Sequence, residues 1–287
     1  MIVDPQLIEQ ARSADPDARQ KAAYLVAQST DERDLPLMFE LLGDKDWRVR
    51  KTIVDGFVRD ARAEIINGLL QALADAENAG KRNSSTEALI RIGDAAIAPI
   101  VDRLRVEGDI DVRLSLVNLL GDLRSRDGFE MLLELLAREQ DVNVASSIVS
   151  SLGKYRDASA LPYLIRTLTR NDLWLQFHVV EALGEIGDRS ALPSVLPMYN
   201  EKSLRKPVLE AVGKIADVGT VSFLLRIISD EDKLNLTALR ALVRIAEASK
   251  PRIVEQAERQ LIQRKFRESF PKEKVPPLID HLHTTPK

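Results

Sequence analysis

Apolar residues recur along the chain in sets that have helical spacing and return at a regular interval. Each set surrounds a small or apolar residue that we call the anchor; around Ala182 it comprises Val179, Val180, Leu183 and Ile186. This spacing puts the four side chains on one helical face. Intervals of 29 to 32 residues separate the eight anchors, which are Leu25, Gly56, Ala88, Leu119, Ser151, Ala182, Ala211 and Ala241. Such a period predicts an array of stacked two-helix units.

Polar residues and prolines mark the predicted helix ends. Ten positions before the anchors, acidic residues or asparagine suit the N-cap of each first helix. They are Asp15, Asp46, Asn78, Asp109, Asp141, Asp172, Glu201 and Glu231. Eleven positions after the anchor, Pro36, Pro99, Pro162 and Pro193 predict the first turn of a second helix. Pro207 lies four positions before its anchor, so the first helix of the seventh unit should start late or bend.

Charged residues occupy two further positions of the repeat. Arginine stands six positions before the anchor in five units, and aspartate stands six positions after it in most units. We interpret the arginines as a structural ladder that reaches loops and aspartates, because a feature repeated at one position of the unit serves the repeat itself. The alternative is a charged binding ladder. The arginines are Arg19, Arg50, Arg82, Arg113 and Arg205, whereas Ala145, Gln176 and Asn235 replace them elsewhere.

Four segments resemble the HEAT-repeat family in its short bacterial form, the phycobilisome-lyase type. They are Asp46–Arg50, Ala88–Asp94, Asp111–Arg113 and Ala182–Asp188. The resemblance implies an all-α, right-handed superhelical solenoid of about eight two-helix repeats, with second helices lining the concave side. The family includes scaffolds, regulators and chromophore lyases, so the resemblance indicates a fold and not a function.

The repeat also predicts how the chain is divided. We expect an N-terminal capping helix in residues 1–14 and repeats in residues 15–248. A C-terminal capping helix over residues 249–268 should then precede a proline-rich tail or linker over residues 269–287.

Composition narrows the possible functions. The 287 residues include 41 basic and 44 acidic ones without a block of like charge, which makes nucleic-acid and membrane binding unexpected. No apolar run reaches the roughly 18 residues of a membrane span, and the N-terminus lacks a signal pattern, so we expect a cytoplasmic protein. The absence of cysteine excludes disulfides and thiolate catalysis. We expect no metal or cofactor, and we interpret His281 and His283 as part of a polar tail.

The sixth unit carries aromatic residues where the other units have none. Trp174, Phe177 and His178 stand eight, five and four positions before their anchor and share one helical face. An exposed cluster of this kind predicts a site for a protein partner. The alternative is that Trp174 is buried against a neighbouring loop. For Trp47, packing in the core or against a loop is the better interpretation.

A second candidate surface follows the second helices. Positions fifteen residues after the anchor are polar within apolar stretches and include Arg103, Arg166 and Arg226. With Arg170 and Tyr163 nearby, this predicts a mildly basic groove for an acidic or extended peptide segment. An ordinary solvated face is the alternative.

These features favour a non-enzymatic scaffold or adaptor that binds protein, in a bacterial signalling or regulatory complex. A chromophore (bilin) lyase-type enzyme or subunit is one alternative, and it depends on the resemblance alone. A DNA-binding HEAT-like protein is another, but Glu40 and Glu134 interrupt the basic groove that DNA would need.

Overall fold

The computed structural model describes residues 4–229 and 234–249, together with 263, 264 and 267. Its regular secondary structure in these ranges is helical throughout, and the predicted all-α solenoid of stacked helix pairs is confirmed. Two compact units, Met1–Leu132 and Leu133–Lys287, divide the chain. The predictions for residues 250–287, including His281 and His283, lie outside the described ranges apart from three isolated positions.

The first unit contains a short N-terminal helix, α1, followed by paired helices. First helices α2, α4, α6 and α8 pack on one another in order, and second helices α3, α5 and α7 pack against the next first helix. The bounds are α1 Pro5–Ala11, α2 Pro16–Val26, α3 Leu35–Leu41, α4 Trp47–Arg59, α5 Ala63–Ala72, α6 Ala79–Ile92, α7 Asp94–Val106, α8 Ile110–Leu123 and α9 Arg126–Arg138. Helix α9 crosses the boundary between the two units.

The second unit repeats this two-layer arrangement. First helices α10, α12, α14 and α16 pack in order, while α11, α13 and α15 pack against α12, α14 and α16. The bounds are α10 Val142–Tyr155, α11 Leu161–Thr167, α12 Leu173–Ile186, α13 Leu192–Val195, α14 Arg205–Ile215, α15 Val221–Ser229 and α16 Asn235–Ser249. No helix within the described residues is both long enough and apolar enough to cross a membrane.

The predicted caps occur at the starts of the first helices. The N-cap side chains accept hydrogen bonds from backbone N–H groups at 2.9–3.0 Å. They are Asp15, Asp46, Asn78, Asp109, Asp141 and Asp172. Glu201 caps a 3₁₀ turn at Lys202–Leu204, after which α14 begins. This start is three residues later in the repeat than in the first helices from α2 to α12, as Pro207 predicts, and α16 begins at the same place in its repeat as α14. Glu231 lies outside the described residues.

Proline opens the second helix in three units but not in the third. Pro36, Pro162 and Pro193 lie at the second position of their helices, each after a 3₁₀ turn. The prediction for Pro99 was wrong, because α7 already begins at Asp94 and contains this proline in its interior. Gly93 has a φ of 72°, a left-handed conformation that turns the chain at once and allows the helix to start four positions earlier in the repeat.

The recurring alanine and glycine bring consecutive first helices into close contact. A Cβ added to Gly184 in α12 would lie 2.8 Å from the Cα of Ala211, the next anchor, in α14. Equivalent distances of 3.0 and 2.9 Å join Gly153 to Ala182 and Gly213 to Ala241. Real Cβ atoms do not approach a backbone atom as closely as at Gly184 and Gly213, so the spacing of these helices requires glycine there.

Arginines six positions before the anchor bind the loop that precedes their own helix. The guanidinium groups donate to backbone carbonyls five to seven residues earlier in the chain. The pairs are Arg19 with Ser13 and Ala14, Arg50 with Asp44 and Lys45, Arg82 with Asp75 and Ala76, and Arg205 with Tyr199. These bonds confirm the predicted structural ladder.

Candidate partner-binding surfaces

Helix α12 presents the aromatic patch, which we define as Trp174, Phe177 and His178. The Trp174 and Phe177 rings are nearly parallel, with centroids 6.0 Å apart and an interplanar angle of 7°. The His178 ring meets Trp174 edge-on at 4.6 Å and Phe177 at 5.4 Å. Trp174 remains 57% exposed, which contradicts the alternative that it is buried against a loop. Its role as a partner site remains a prediction.

His178 fixes the patch to the neighbouring first helix. Its Nδ1 lies 3.2 Å from the hydroxyl of Ser150 in α10 and 3.8 Å from the carboxylate of Glu181. Burial lowers the pKa of His178 below its usual value, and this effect exceeds the opposing influence of Glu181. The imidazole is therefore uncharged in neutral solution, and the patch presents three neutral rings.

The arginines of the second helices reach solvent, with Arg166 and Arg226 exposed and Arg103 half-buried, and their role as a binding groove stays a prediction. Arg103 belongs to the first unit and donates Nε to Glu107 at 2.6 Å. Arg166 and Arg226 belong to the second unit, are exposed, and have no carboxylate partner among the described residues. Tyr163 is 44% exposed and precedes Arg166 by one helical turn. Tyr163 and Arg166 therefore form a small exposed pair on α11.

Arg170 is held in the loop network of the repeats. Its guanidinium donates to the carbonyls of Glu139 and Gln140 at 3.1 and 3.4 Å. These carbonyls stand six and five positions before Ala145. In their own repeats, Arg19 and Arg50 bind the carbonyls that stand six and five positions before them. Arg170 thus replaces the ladder arginine that position 145 lacks. This contact gives Arg170 a structural role, and its predicted role in binding remains without support.

Removing Arg170 should destabilise the second unit. Arg170→Ala is expected to lower the free energy of unfolding by about 1–3 kcal/mol, because two carbonyls lose a charged donor. Adding Ala145→Arg should recover part of this loss by restoring the donor that other repeats carry. Denaturant unfolding measures both effects. Arg166→Ala is the matched control and should leave stability unchanged. A deeper loss on adding Ala145→Arg would show that the two arginines are not equivalent.

The prediction that Trp47 packs in the core or against a loop was wrong. Trp47 is 63% exposed, and Ile110 and Leu173, which occupy the same place in their repeats, are 45% and 51% exposed. Each is the first residue of its helix, before the buried face begins; in α4 that face begins at Val49. Apolar character at this position therefore does not indicate burial.

Sequence reasoning missed Asp34, although a usable signal was present. Asp34 stands nine positions after its anchor and is only 4% exposed. The corresponding residues in the second to seventh repeats carry no charge and are Ile65, Ile97, Gly128, Ala160, Ala191 and Thr220. A comparison of this position across repeats would have singled out a buried carboxylate.

Comparison with known proteins identifies the family. The family of HEAT repeats matches residues 5–90, 97–175 and 129–206. The chain belongs to the HEAT-repeat family. The resemblance inferred from its sequence segments is therefore confirmed. No curated protein sequence matches this chain.

Solved structures share the fold at low sequence identity. Kap121p bound to Pho4p is 15% identical, with a TM-score of 0.55 over 92% of this chain and 34% of that chain. YibA from Escherichia coli is 14% identical, with a TM-score of 0.49 over 84% of this chain and 92% of that chain. The complex of CpcE and CpcF of phycocyanin lyase from Nostoc sp. PCC7120 is 16% identical, with a TM-score of 0.41 over 96% of this chain and 93% of that chain. The likeness to Kap121p supports a solenoid fold.

Proposed function

We propose that this HEAT-repeat protein is a non-enzymatic scaffold or adaptor that binds a protein partner through the aromatic patch. The observation that carries the proposal is the exposure of Trp174 beside two rings that fix its position. Solenoid repeats present extended surfaces to other macromolecules, and tryptophan is enriched among the residues that dominate binding energy at protein interfaces.

The geometry of the patch suits protein binding for two reasons. Trp174 is held against His178 and Phe177, so less side-chain freedom is lost when a partner covers it. The His178 ring is uncharged in neutral solution, so covering the patch does not require removal of water from a buried charge. Both features favour an apolar partner surface.

Arg166 and Tyr163 support a second contact with an acidic or extended segment of the partner. Arg166 has no carboxylate partner among the described residues, and an exposed guanidinium binds carboxylates through paired hydrogen bonds. Arg226 offers the same chemistry on α15. The structure of Kap121p bound to Pho4p provides an example of a similar solenoid that holds a protein.

The test compares two exposed tryptophans. Trp174→Ala should reduce retention of the partner in affinity purification and weaken its affinity roughly 30-fold, as expected for an interfacial hot spot. Trp47→Ala removes a tryptophan of similar exposure that has no ring contact among the described residues, so it should retain the partner. Isothermal titration with the purified partner then measures the affinities.

Further variants separate the two surfaces and the alternatives. Arg166→Glu should lower the affinity for the same partner and make the residual binding less sensitive to salt. If Trp174→Ala retains every protein that the wild type retains, the patch is not the binding site. Formation of a coloured adduct with bilin and an acceptor protein would overturn the non-enzymatic assignment. Salt-dependent binding of duplex DNA at low micromolar concentration would instead support the nucleic-acid alternative.

A further inference from the structure

The N-terminal end of the first unit contains an open cavity of about 840 Å³. Leu7 of α1, Leu25 and Val26 of α2, and the loop from Gln28 to Asp34 contribute to its lining. Leu25 is the anchor of the first repeat and is 50% exposed, whereas the later anchors are buried. In the second repeat the anchor Gly56 lies against Ala27, the residue that follows α2. The short helix α1 leaves the equivalent surface of α2 open.

Asp34 is a buried carboxylate on the wall of this cavity. It is 4% exposed, and its Oδ1 is enclosed and has no hydrogen-bond partner. Within the described residues, neither oxygen of this carboxylate forms an ion pair or hydrogen bond. An unpartnered buried charge costs several kcal/mol by general estimates, and a bound cation would offset that cost.

The other charged groups near the cavity form no ion pair with Asp34 among the described residues. Arg62 donates Nη1 to the carbonyl of Thr30, and its Nε lies 3.4 Å from the carboxylate of Asp60. The Asp31 carboxylate is occupied by Arg33, which donates Nε and Nη2 to it at 2.9 and 2.5 Å. Lys21 lines the cavity but is exposed and forms no ion pair with Asp34 among the described residues. Asp34 is therefore the buried, unpaired carboxylate of a cavity whose apolar lining is Leu7, Leu25 and Val26 and whose other lining residues, including the exposed Asp4, are polar.

We propose that this cavity binds a primary ammonium group carried on an aliphatic stem. The ammonium would bind Asp34 and donate its remaining protons to oxygens of Ser29 and Thr30, which also line the cavity. The stem would lie against Leu7 and Leu25. Either a free alkylamine or a lysine side chain of a peptide supplies this chemistry. The inference depends on Asp34 and is independent of the aromatic patch.

The binding test uses hexylammonium, with 1-hexanol as the uncharged control of equal length. Isothermal titration should detect hexylammonium binding to the wild type and no binding of hexanol. Asp34→Asn should weaken the amine roughly 30-fold or more, as expected when one partner of a buried charge pair is removed. Trp174→Ala should bind the amine like the wild type. Equal affinity in the wild type and Asp34→Asn, or no amine binding to either, would overturn the proposal.

Thermal unfolding without ligand provides a second and independent readout. Asp34→Ile, which introduces the residue found at position 65, should raise the melting temperature because it removes an unpaired buried charge. Lys21→Ala should leave the melting temperature unchanged and strengthen amine binding by removing a nearby positive charge. If Asp34→Ile and Asp34→Asn both lower the melting temperature, Asp34 serves the fold and the proposal is wrong. A lower melting temperature of Lys21→Ala would show that Lys21 is the charge partner of Asp34, and the proposal would again be wrong.

A peptide arm distinguishes the two sources of the ammonium group. A short peptide with one central lysine should compete with hexylammonium if the natural ligand is a partner's side chain, and the same peptide with norleucine should not compete. If hexylammonium binding depends on Asp34 but the lysine peptide does not compete, the natural ligand is a free amine.

Discussion

Replacing Gly184 with valine is expected to lower the free energy of unfolding by about 3 kcal/mol or more. A Cβ at this position would lie 2.8 Å from the Cα and 2.9 Å from the Cβ of Ala211, so α12 and α14 would have to separate. Overpacking of this kind costs 1–3 kcal/mol and sometimes more. Valine also has a higher helix propensity than glycine, so a net loss would have to come from packing between the repeats.

The matched control is Gly108→Val. Gly108 lies in the loop between α7 and α8, and a Cβ there would have no neighbour within 4 Å. We expect its unfolding midpoint to stay near that of the wild type. Hydrogen exchange should show the Gly184→Val effect first in α12 and α14, because a repeat protein is coupled mainly to its neighbours. Equal effects of the two variants would show that close packing between repeats does not limit stability.

Much of the fold could be predicted because each position of the repeat performs one task in many units. Caps such as Asp46 and ladder arginines such as Arg50 recur with the same spacing, so each repeat tests the interpretation of the others. The failure at Pro99 has a physical reason. The spacing of proline predicts a helix start only while a 3₁₀ turn precedes it, and Gly93 removes that turn in the third repeat.

The candidate surfaces were less predictable than the fold. Trp174 could be found because it departs from the pattern of its repeat, and its exposure agrees with an outward-facing position. Trp47 departs from no pattern of polarity, and its place at the first residue of a helix decides its exposure. Asp34 departs from its pattern as clearly as Trp174, but only the structure shows that an open cavity adjoins it.

Arg170 illustrates a contact that a single repeat cannot reveal. Its partners, Glu139 and Gln140, lie in the preceding loop about one repeat earlier in the chain. A trace of this exchange exists in the sequence. In four of the five loops with an acidic residue nineteen positions after the anchor, the next ladder position is arginine, as in Asp44 and Arg50; Asp230, which precedes Asn235, is the exception. Arg170 and the equivalent Arg138 reverse that charge, and the next ladder positions are then uncharged.

Arg19→Ala is expected to destabilise the first unit by about 3–5 kcal/mol, the range for breaking a buried ion pair. Arg19 donates Nε and Nη2 to Asp44 at 2.7 and 3.0 Å, and the two side chains are only 6% and 8% exposed. Its Nη1 also donates to the carbonyls of Ser13 and Ala14. Alanine would therefore leave a buried carboxylate and two carbonyls without their donor.

An exposed pair of the same geometry provides the control. Arg12 donates Nε and Nη2 to Glu40 at 2.9 and 2.8 Å, but these side chains are 62% and 45% exposed. Arg12→Ala should cost a small fraction of the Arg19→Ala loss, because water replaces the lost partner. Adding Asp44→Asn to Arg19→Ala should restore part of the stability, since the orphaned charge is then removed. Similar losses of unfolding free energy in Arg12→Ala and Arg19→Ala would show that burial does not determine the strength of these ion pairs.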